Sequence, residues 1–407
     1  MNYIKRDIEA VILEVMSSYA AIILTGPRQV GKSTTLQKLV SSDYTIVSLD
    51  DLEARQIASS DPELFLSIYK RPLLIDEVQY APQLFSRIKI EVDNGAPPGS
   101  FLMTGSQPFR LMTLAQESLA GRAAILQMSS LSQREIHGGD CKESFSIELS
   151  SLQKQISGRT PVDTMTIYER IWCGSMPGHI SGKYPRREIF YSSYLNTYIS
   201  RDIRDMLDNV DSFQFSDFIR ATACRTGQIL NVHDIASDMG ISDDTAKRWL
   251  GLLEKSGVIF YLRPFSNNLL KRTIKTPKMY FFDTGLVAWL TKHSTPEILQ
   301  SSAINGQILE NFVIAEILKG YANNGIEAIC HYYRDKDRKE IDLLIQSDGM
   351  IYPIEIKKTA SPSDKLTGTF KILDKASLPR GTGAIICTKK DLSALDRSTM
   401  IIPAWLI

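Results

Sequence analysis

The sequence predicts an α/β protein: an open parallel sheet at the amino-terminal end, followed by helical and mixed units. Three observations predict it. Between Ala20 and Met128, five apolar runs each end in polar residues or glycine, as buried parallel strands do when they deliver side chains to one sheet edge. The first run opens a glycine-bearing turn followed by helical spacing of Leu36, Leu39 and Val40. Beyond residue 213 the spacing changes, first to two short helices joined by a glycine turn and later to a β-hairpin with charges inside its apolar strands.

The first run, Ala20 to Thr25, leads into Gly26-Pro27-Arg28-Gln29-Val30-Gly31-Lys32-Ser33-Thr34, which fits G-x-x-x-x-G-K-S. A triphosphate needs many donors at once, and a glycine turn at a helix N-terminus supplies backbone N–H groups and the positive end of the helix dipole. Lys32 is expected to reach the β- and γ-phosphates of ATP, and the Ser33 hydroxyl to ligate the Mg²⁺ that bridges them. Tyr44 to Leu49 predicts a second strand, after which Asp50 and Asp51 either face the nucleotide or cap the helix beginning near Leu52. Pro72-Leu73-Leu74-Ile75 delivers Asp76 and Glu77 to the same edge. Neighbouring strand residues point to opposite sides, so the two acids divide their work: Asp76 for the metal's water shell, Glu77 for the attacking water. Ser100 to Thr104 ends in Gly105-Ser106-Gln107, placing Ser106 or Gln107 to sense the γ-phosphate. Arg122, between a helix and the last strand (Ala123 to Met128), stands far from its own loop, at the flank from which it would enter a neighbouring subunit's site as an arginine finger.

These elements, with Ser118-Leu119-Ala120-Gly121-Arg122, resemble the AAA-family ATPases of bacteria and archaea that carry a C-terminal domain of unknown function. The resemblance continues through Tyr194 to Asp202, Arg225-Thr226-Gly227 and Lys278 to Leu286. It implies a P-loop sheet of AAA type, ATP hydrolysis and a homo-oligomer. Where such families usually show Gly-Gly-Phe-Pro, this chain has Cys173-Gly174-Ser175-Met176-Pro177, which leaves open whether the element touches nucleotide.

Four units are expected: a P-loop domain (1–137), a connector and helical lid (138–212), a winged helix-turn-helix (213–290) and a restriction-endonuclease-like α/β domain (291–407). Gly138 to Pro161 is polar with few apolar anchors. Ile167, Ile171, Ile189, Tyr194, Leu195 and Tyr198 recur at helical spacing, and Arg201 follows them. Val232 to Ser242 and Asp243 to Lys255 read as the helix pair of a winged fold, but the second helix balances Lys247, Arg248 and Lys255 against Asp243, Asp244 and Glu254. The wing region holds Arg263, Lys271, Arg272, Lys275 and Lys278 with no acid from Phe260 to Lys278, a candidate strip for nucleic-acid phosphates.

In the last unit, Asp342 lies within Glu340 to Ile345, and Glu355 and Lys357 within Tyr352 to Lys357. This pattern resembles the D…E-x-K core of restriction-like nucleases. That resemblance implies that Asp342 and Glu355 bind Mg²⁺, that Lys357 stabilises developing charge and that Glu310 is an auxiliary acid. Solvated hairpin charges are the alternative, as is a strand histidine without function for His331.

Composition narrows the classes. With a net charge of +1, any nucleic-acid surface must be local. Five scattered cysteines without C-x-x-C spacing argue against a disulfide framework or zinc knuckle. No apolar run approaches membrane-spanning length and the N-terminus lacks a signal-peptide core, so a soluble cytoplasmic protein without membrane partners is expected. Two functions fit: an ATP-driven protein acting on DNA, with or without cleavage, and a nucleotide-dependent switch binding a protein partner.

Overall fold

A computed structural model describes residues 3–138, 143–198, 212–265 and 275–407. Five strands, β1 (Ala21–Thr25), β2 (Thr45–Ser48), β3 (Leu73–Asp76), β4 (Phe101–Gly105) and β5 (Ala123–Gln127), form one sheet in the order β2-β3-β4-β1-β5. All neighbours run parallel, with Ala21 opposite both Phe101 and Ala123, and Leu73 opposite both Phe101 and Thr45. The carboxyl ends of the strands therefore share one edge. Alternate residues supply two separate cores: Ala21, Ile23, Phe101 and Met103 on one face, Ile22, Leu24 and Leu102 on the other. Helices thus cover both faces, which is why the central strands are apolar throughout rather than alternating.

Residues 143–198 hold more structure than their composition predicts. A helix, Leu149–Ile156, stands where a connector is expected, anchored by Leu152 and preceded by buried Phe145 and Ile147. Helices Thr164–Cys173 and Arg187–Tyr198 follow. Arg201 lies outside the described residues.

A second sheet takes nine strands from the described residues after 212. They are β6 (Gln228–Ile229), β7 (Ile259–Pro264), β8 (Lys278–Phe281), β9 (Cys330–Arg334), β10 (Glu340–Ser347), β11 (Met350–Lys357), β12 (Gly383–Cys387), β13 (Ser393–Asp396) and β14 (Thr399–Pro403). Their order is β13-β14-β12-β11-β10-β9-β7-β8-β6. Helices Ser212–Ala223, Val232–Met239 and Asp243–Lys255 pack beside the β6–β8 end. The two ends of the sheet join where β7 pairs parallel with β9, at Arg263 opposite His331 and Pro264 opposite Tyr332. One apolar core runs from Ile167 and Tyr191 through Trp249 and Phe281 to Ile345 and Ile386, so sheet and core are both continuous across residue 290. The 19-residue helix Asn305–Asn323 lies in the middle of this core, buried along most of its length. Among the described residues, no helix is long and apolar enough to cross a membrane.

Candidate active site

The turn after β1 is shaped by positive backbone angles at Gly26 (φ 150°), Gln29 (φ 60°) and Gly31 (φ 96°), and helix Lys32–Leu39 starts directly from it. Gly26 is required twice over, because a Cβ there would also stand 2.0 Å from the Met128 carbonyl oxygen. Lys32 is buried, and its Nζ donates to the carbonyl oxygens of Gly26 (2.9 Å) and Pro27 (2.7 Å). Its ammonium is held inside the loop by neutral acceptors, which charged phosphate oxygens would replace. Ser33 Oγ donates to Asp76 Oδ1 at 2.8 Å, and Thr104 donates to the same oxygen. Hydroxyl and carboxylate are therefore already adjacent, the donor pair that a hydrated Mg²⁺ requires.

Glu77 leaves β3 in a left-handed conformation (φ 54°), which turns its side chain away from Asp76. Its Oε2 accepts from Ser106 N (3.1 Å), from Ser106 Oγ (2.9 Å) and from Gln79 Nε2. Asp76 and Glu77 thus point to different partners. Arg28, Gln29, Gly31, Lys32, Ser33 and Thr34 line a cleft of about 530 Å³ together with Glu77, Ser106 and Thr197 of helix Arg187–Tyr198. That volume suits a nucleotide. Gln107 is buried outside this lining. Asp51 caps helix Leu52–Ser60 through Ala54 N (2.8 Å), and Asp50 lies 3.9 Å from Arg55, so both serve the local turn. Arg122 stands just before β5 at the edge opposite the loop, partly exposed and paired with Asp93.

A second cluster forms in the other sheet. The hairpin register pairs Leu343 with Ile354, which brings Asp342 and Glu355 side by side on one face. Lys357 Nζ bridges them, 2.8 Å from Asp342 Oδ2 and 2.9 Å from Glu355 Oε1. Ile356 N also donates to Asp342 Oδ2 at 2.8 Å. Glu310 reaches the cluster from the long helix. Its Oε1 accepts from Lys278 Nζ (2.8 Å) and Tyr280 OH (2.6 Å), and Lys278 also pairs with Glu340. Burial, with Asp342 adding to it, pushes Glu310 up to about 7 and Glu355 up to about 8. For Lys278 burial alone would lower the pKa, but Glu310, Asp342 and Glu340 together outweigh it and keep the ammonium protonated. Glu355 Oε2 is buried with no hydrogen-bond partner among the described residues. In kind, Asp342 and Glu355 suit a divalent cation. Yet no group of three or more His, Cys, Asp or Glu side chains among the described residues is arranged to hold one.

Residues 18–137 match the family described as AAA domain, and residues 305–407 match a domain of unknown function, DUF4143. The chain thus carries an AAA-type P-loop domain and, C-terminal to it, a DUF4143 domain. Residues 165–297, between the two, match another domain of unknown function, DUF8612. Over 364 residues the chain is 28% identical to the uncharacterized proteins Mb2031c of Mycobacterium bovis and Rv2008c of Mycobacterium tuberculosis, covering 88% of this chain and 75% of each relative. Among solved structures it is similar to the Walker-type ATPase paby2304 of Pyrococcus abyssi, with 16% identity, a TM-score of 0.45, and coverage of 70% of this chain and 94% of the other. The AAA assignment puts residues 18–137 in a class of nucleotide-dependent ATPases.

The fold around this AAA domain corrects one expectation about the wing. Lys278 is 3% exposed and pairs with Glu310 and Glu340, so it is not part of a surface strip. Its place inside β8, beside the acids of β10, explains the difference. Arg263 and Lys275 are exposed, while Lys271 and Arg272 lie outside the described residues. Nothing local in the sequence marks Tyr280 or the structural role of Lys278 as parts of this cluster. Glu340 had a usable signal, since it stands two residues before Asp342 on the same strand face.

The Gly174-Ser175 element lies away from the nucleotide cleft. Ser175 donates to Asp283 Oδ2 through N (2.7 Å) and Oγ (2.9 Å), and Lys319 Nζ donates to Ser175 Oγ at 3.0 Å. Asp283 Oδ1 accepts from Tyr191 OH (2.8 Å) and Leu286 N (2.7 Å). A Cβ on Gly174 would meet that tyrosine oxygen at 2.4 Å, so the close approach explains the glycine. Ser130, just past β5, faces Ser175 at 2.9 Å. The AAA domain, helix Arg187–Tyr198 and the long helix Asn305–Asn323 of the DUF4143 domain therefore share one buried polar junction.

Proposed function

We propose that this protein binds and hydrolyses Mg·ATP at the Gly26–Thr34 loop and uses the cycle to act on DNA, through the helical unit around Asp243–Lys255 and the Glu310–Asp342–Glu355–Lys357 cluster. The observation that carries the DNA reading is that cluster: four residues from three elements gathered on one sheet face, with one carboxylate oxygen left without a donor. Ser33 and Asp76 would hold the Mg²⁺, which supplies charge neutralisation between the β- and γ-phosphates. Lys32 exchanges its loop carbonyls for phosphate oxygens, while Ser106 positions Glu77 to take a proton from the attacking water. Arg122, turned away from its own loop, would complete a neighbour's site in an oligomer.

The arrangement of helices Ser212–Ala223, Val232–Met239 and Asp243–Lys255 with β6, β7 and β8 supports a winged helix, in which exposed Arg263 and Lys275 flank the wing. In the DUF4143 domain, Asp342 and Glu355 would hold a divalent cation, with Lys357 offsetting charge on the attacking side. The second reading, a switch that binds a protein partner, is favoured by the same lysine: Lys357 already pairs with both carboxylates, where a metal would otherwise sit. Incubating the purified protein with duplex and single-stranded DNA and Mn²⁺ separates the two. Cleavage lost in Glu355→Ala while DNA binding persists supports the nuclease reading. Absence of both cleavage and DNA binding supports the switch.

A further inference from the structure

The left-handed backbone of Glu77 (φ 54°) is unfavourable for a residue with a side chain and persists only where the surroundings hold it. Gln79, two residues on, does part of that holding. The turn Val78–Tyr80 starts directly from Glu77, and Tyr80 N donates to Glu77 O at 3.1 Å, which brings the Gln79 side chain back beside the glutamate. Gln79 is completely buried, and its Nε2 donates to Glu77 Oε2.

An ionised carboxylate only accepts, so the amide must turn its nitrogen to Glu77 and its oxygen the other way. That oxygen lies where a Cβ on Gly105 would stand, at the end of β4, and is buried with no donor among the described residues. The missing side chain of Gly105 is what leaves room for the amide. An unmatched buried acceptor is costly, and for packing alone an apolar side chain would serve here, as Leu111 does on the border of the same space. What an apolar side chain lacks is the donor to Glu77.

Three donors, Gln79 Nε2, Ser106 N (3.1 Å) and Ser106 Oγ (2.9 Å), meet on Glu77 Oε2, while Oε1 accepts from no group among the described residues. Glu77 also lines the nucleotide cleft. We propose that Gln79 is a positioning residue for ATP hydrolysis: with Ser106 it fastens Oε2, and so leaves Oε1 in a fixed place to take the proton from the attacking water. This role rests on Glu77 being the base of the proposed ATP hydrolysis. Without Gln79 the carboxylate keeps its bonds to Ser106 but gains freedom to turn about them, and the free oxygen loses its fixed direction.

The test is steady-state ATP turnover by the full-length protein with Mg²⁺. Gln79→Met keeps a long, unbranched side chain and removes both the donor and the unmatched oxygen. Its kcat should fall about tenfold or more, the effect of losing one hydrogen bond to a charged group, with KM for ATP within about twofold of wild type. Its melting temperature should be unchanged or higher, because a buried acceptor without a donor is gone. A side chain that only supports the fold would give the reverse: a lower melting temperature and an unchanged kcat. Ser106→Ala should also lower kcat, and the double variant should lose clearly less than the product of the two single losses, since both residues act on one oxygen. Wild-type kcat in Gln79→Met, or losses that multiply in the double variant, would overturn the role of Gln79 and leave the ATPase reading standing. No turnover by the wild-type protein would overturn that reading, and this role with it.

Discussion

At the scale of single residues, the geometry separates ground-state binding from chemistry. In the proposed mechanism Lys32 carries the charge that would meet phosphate, whereas Glu77 is oriented by hydrogen bonds from Ser106 and Gln79. Lys32→Ala should therefore abolish measurable ATP binding in a fluorescent-nucleotide titration. Glu77→Gln should leave ATP affinity near wild type and lower turnover about 10²- to 10⁴-fold, the range a positioned general base contributes. Tight ATP binding by Lys32→Ala would contradict these roles. Lys278 offers a test of another kind. Replacing it with methionine leaves Glu310 buried at 12% side-chain exposure without its cation. Removing one partner of a buried pair costs about 3–5 kcal/mol. Lys278→Met should accordingly lose that much stability in urea denaturation, while a residue of the phosphate strip would instead lose DNA affinity.

At the scale of elements, the parallel strands were legible because each is an apolar run ending in polar residues or glycine, and the alternation at Asp76-Glu77 already implied two partners. The hairpin was legible for a similar reason, since the Asp348-Gly349 turn lies between two strands of matching pattern and both turn residues take positive φ. What escaped were pairings across the sheet. Nothing local in Lys278 announces that β8 lies near Glu340 and Glu310, because that proximity depends on β7 meeting β9 over two residue pairs. Helix Leu149–Ile156 escaped because its buried side includes Ser151 and Gln155, which break the apolar period. Arg122 belongs to this scale as well, as it sits in the turn between helix Pro108–Ser118 and β5. If it acts in a neighbour's site, mixing inactive Lys32→Ala subunits with inactive Arg122→Ala subunits should restore part of the ATP turnover. No recovery in demonstrably mixed oligomers would exclude that role.

At the scale of the whole molecule, the loop that meets nucleotide is joined to everything after it. Pro27 packs against Gly257, where a Cβ would stand 2.6 Å from the proline ring, and Ser130 reaches Ser175 and hence Asp283 and Lys319. The loop is thus packed directly against the residues that follow helix Asp243–Lys255. With one core crossing residue 290, a fragment ending there should expose apolar surface and fail to fold, which limited solubility and a missing cooperative unfolding transition would register. This continuity is what the account requires of a machine that couples ATP to DNA. The most direct test is steady-state ATP turnover by the full-length protein with Mg²⁺, measured with and without duplex and single-stranded DNA. ATP turnover is expected to rise when DNA is added and to disappear in Glu77→Gln. Turnover that is indifferent to every DNA added would contradict the coupling of ATP to DNA.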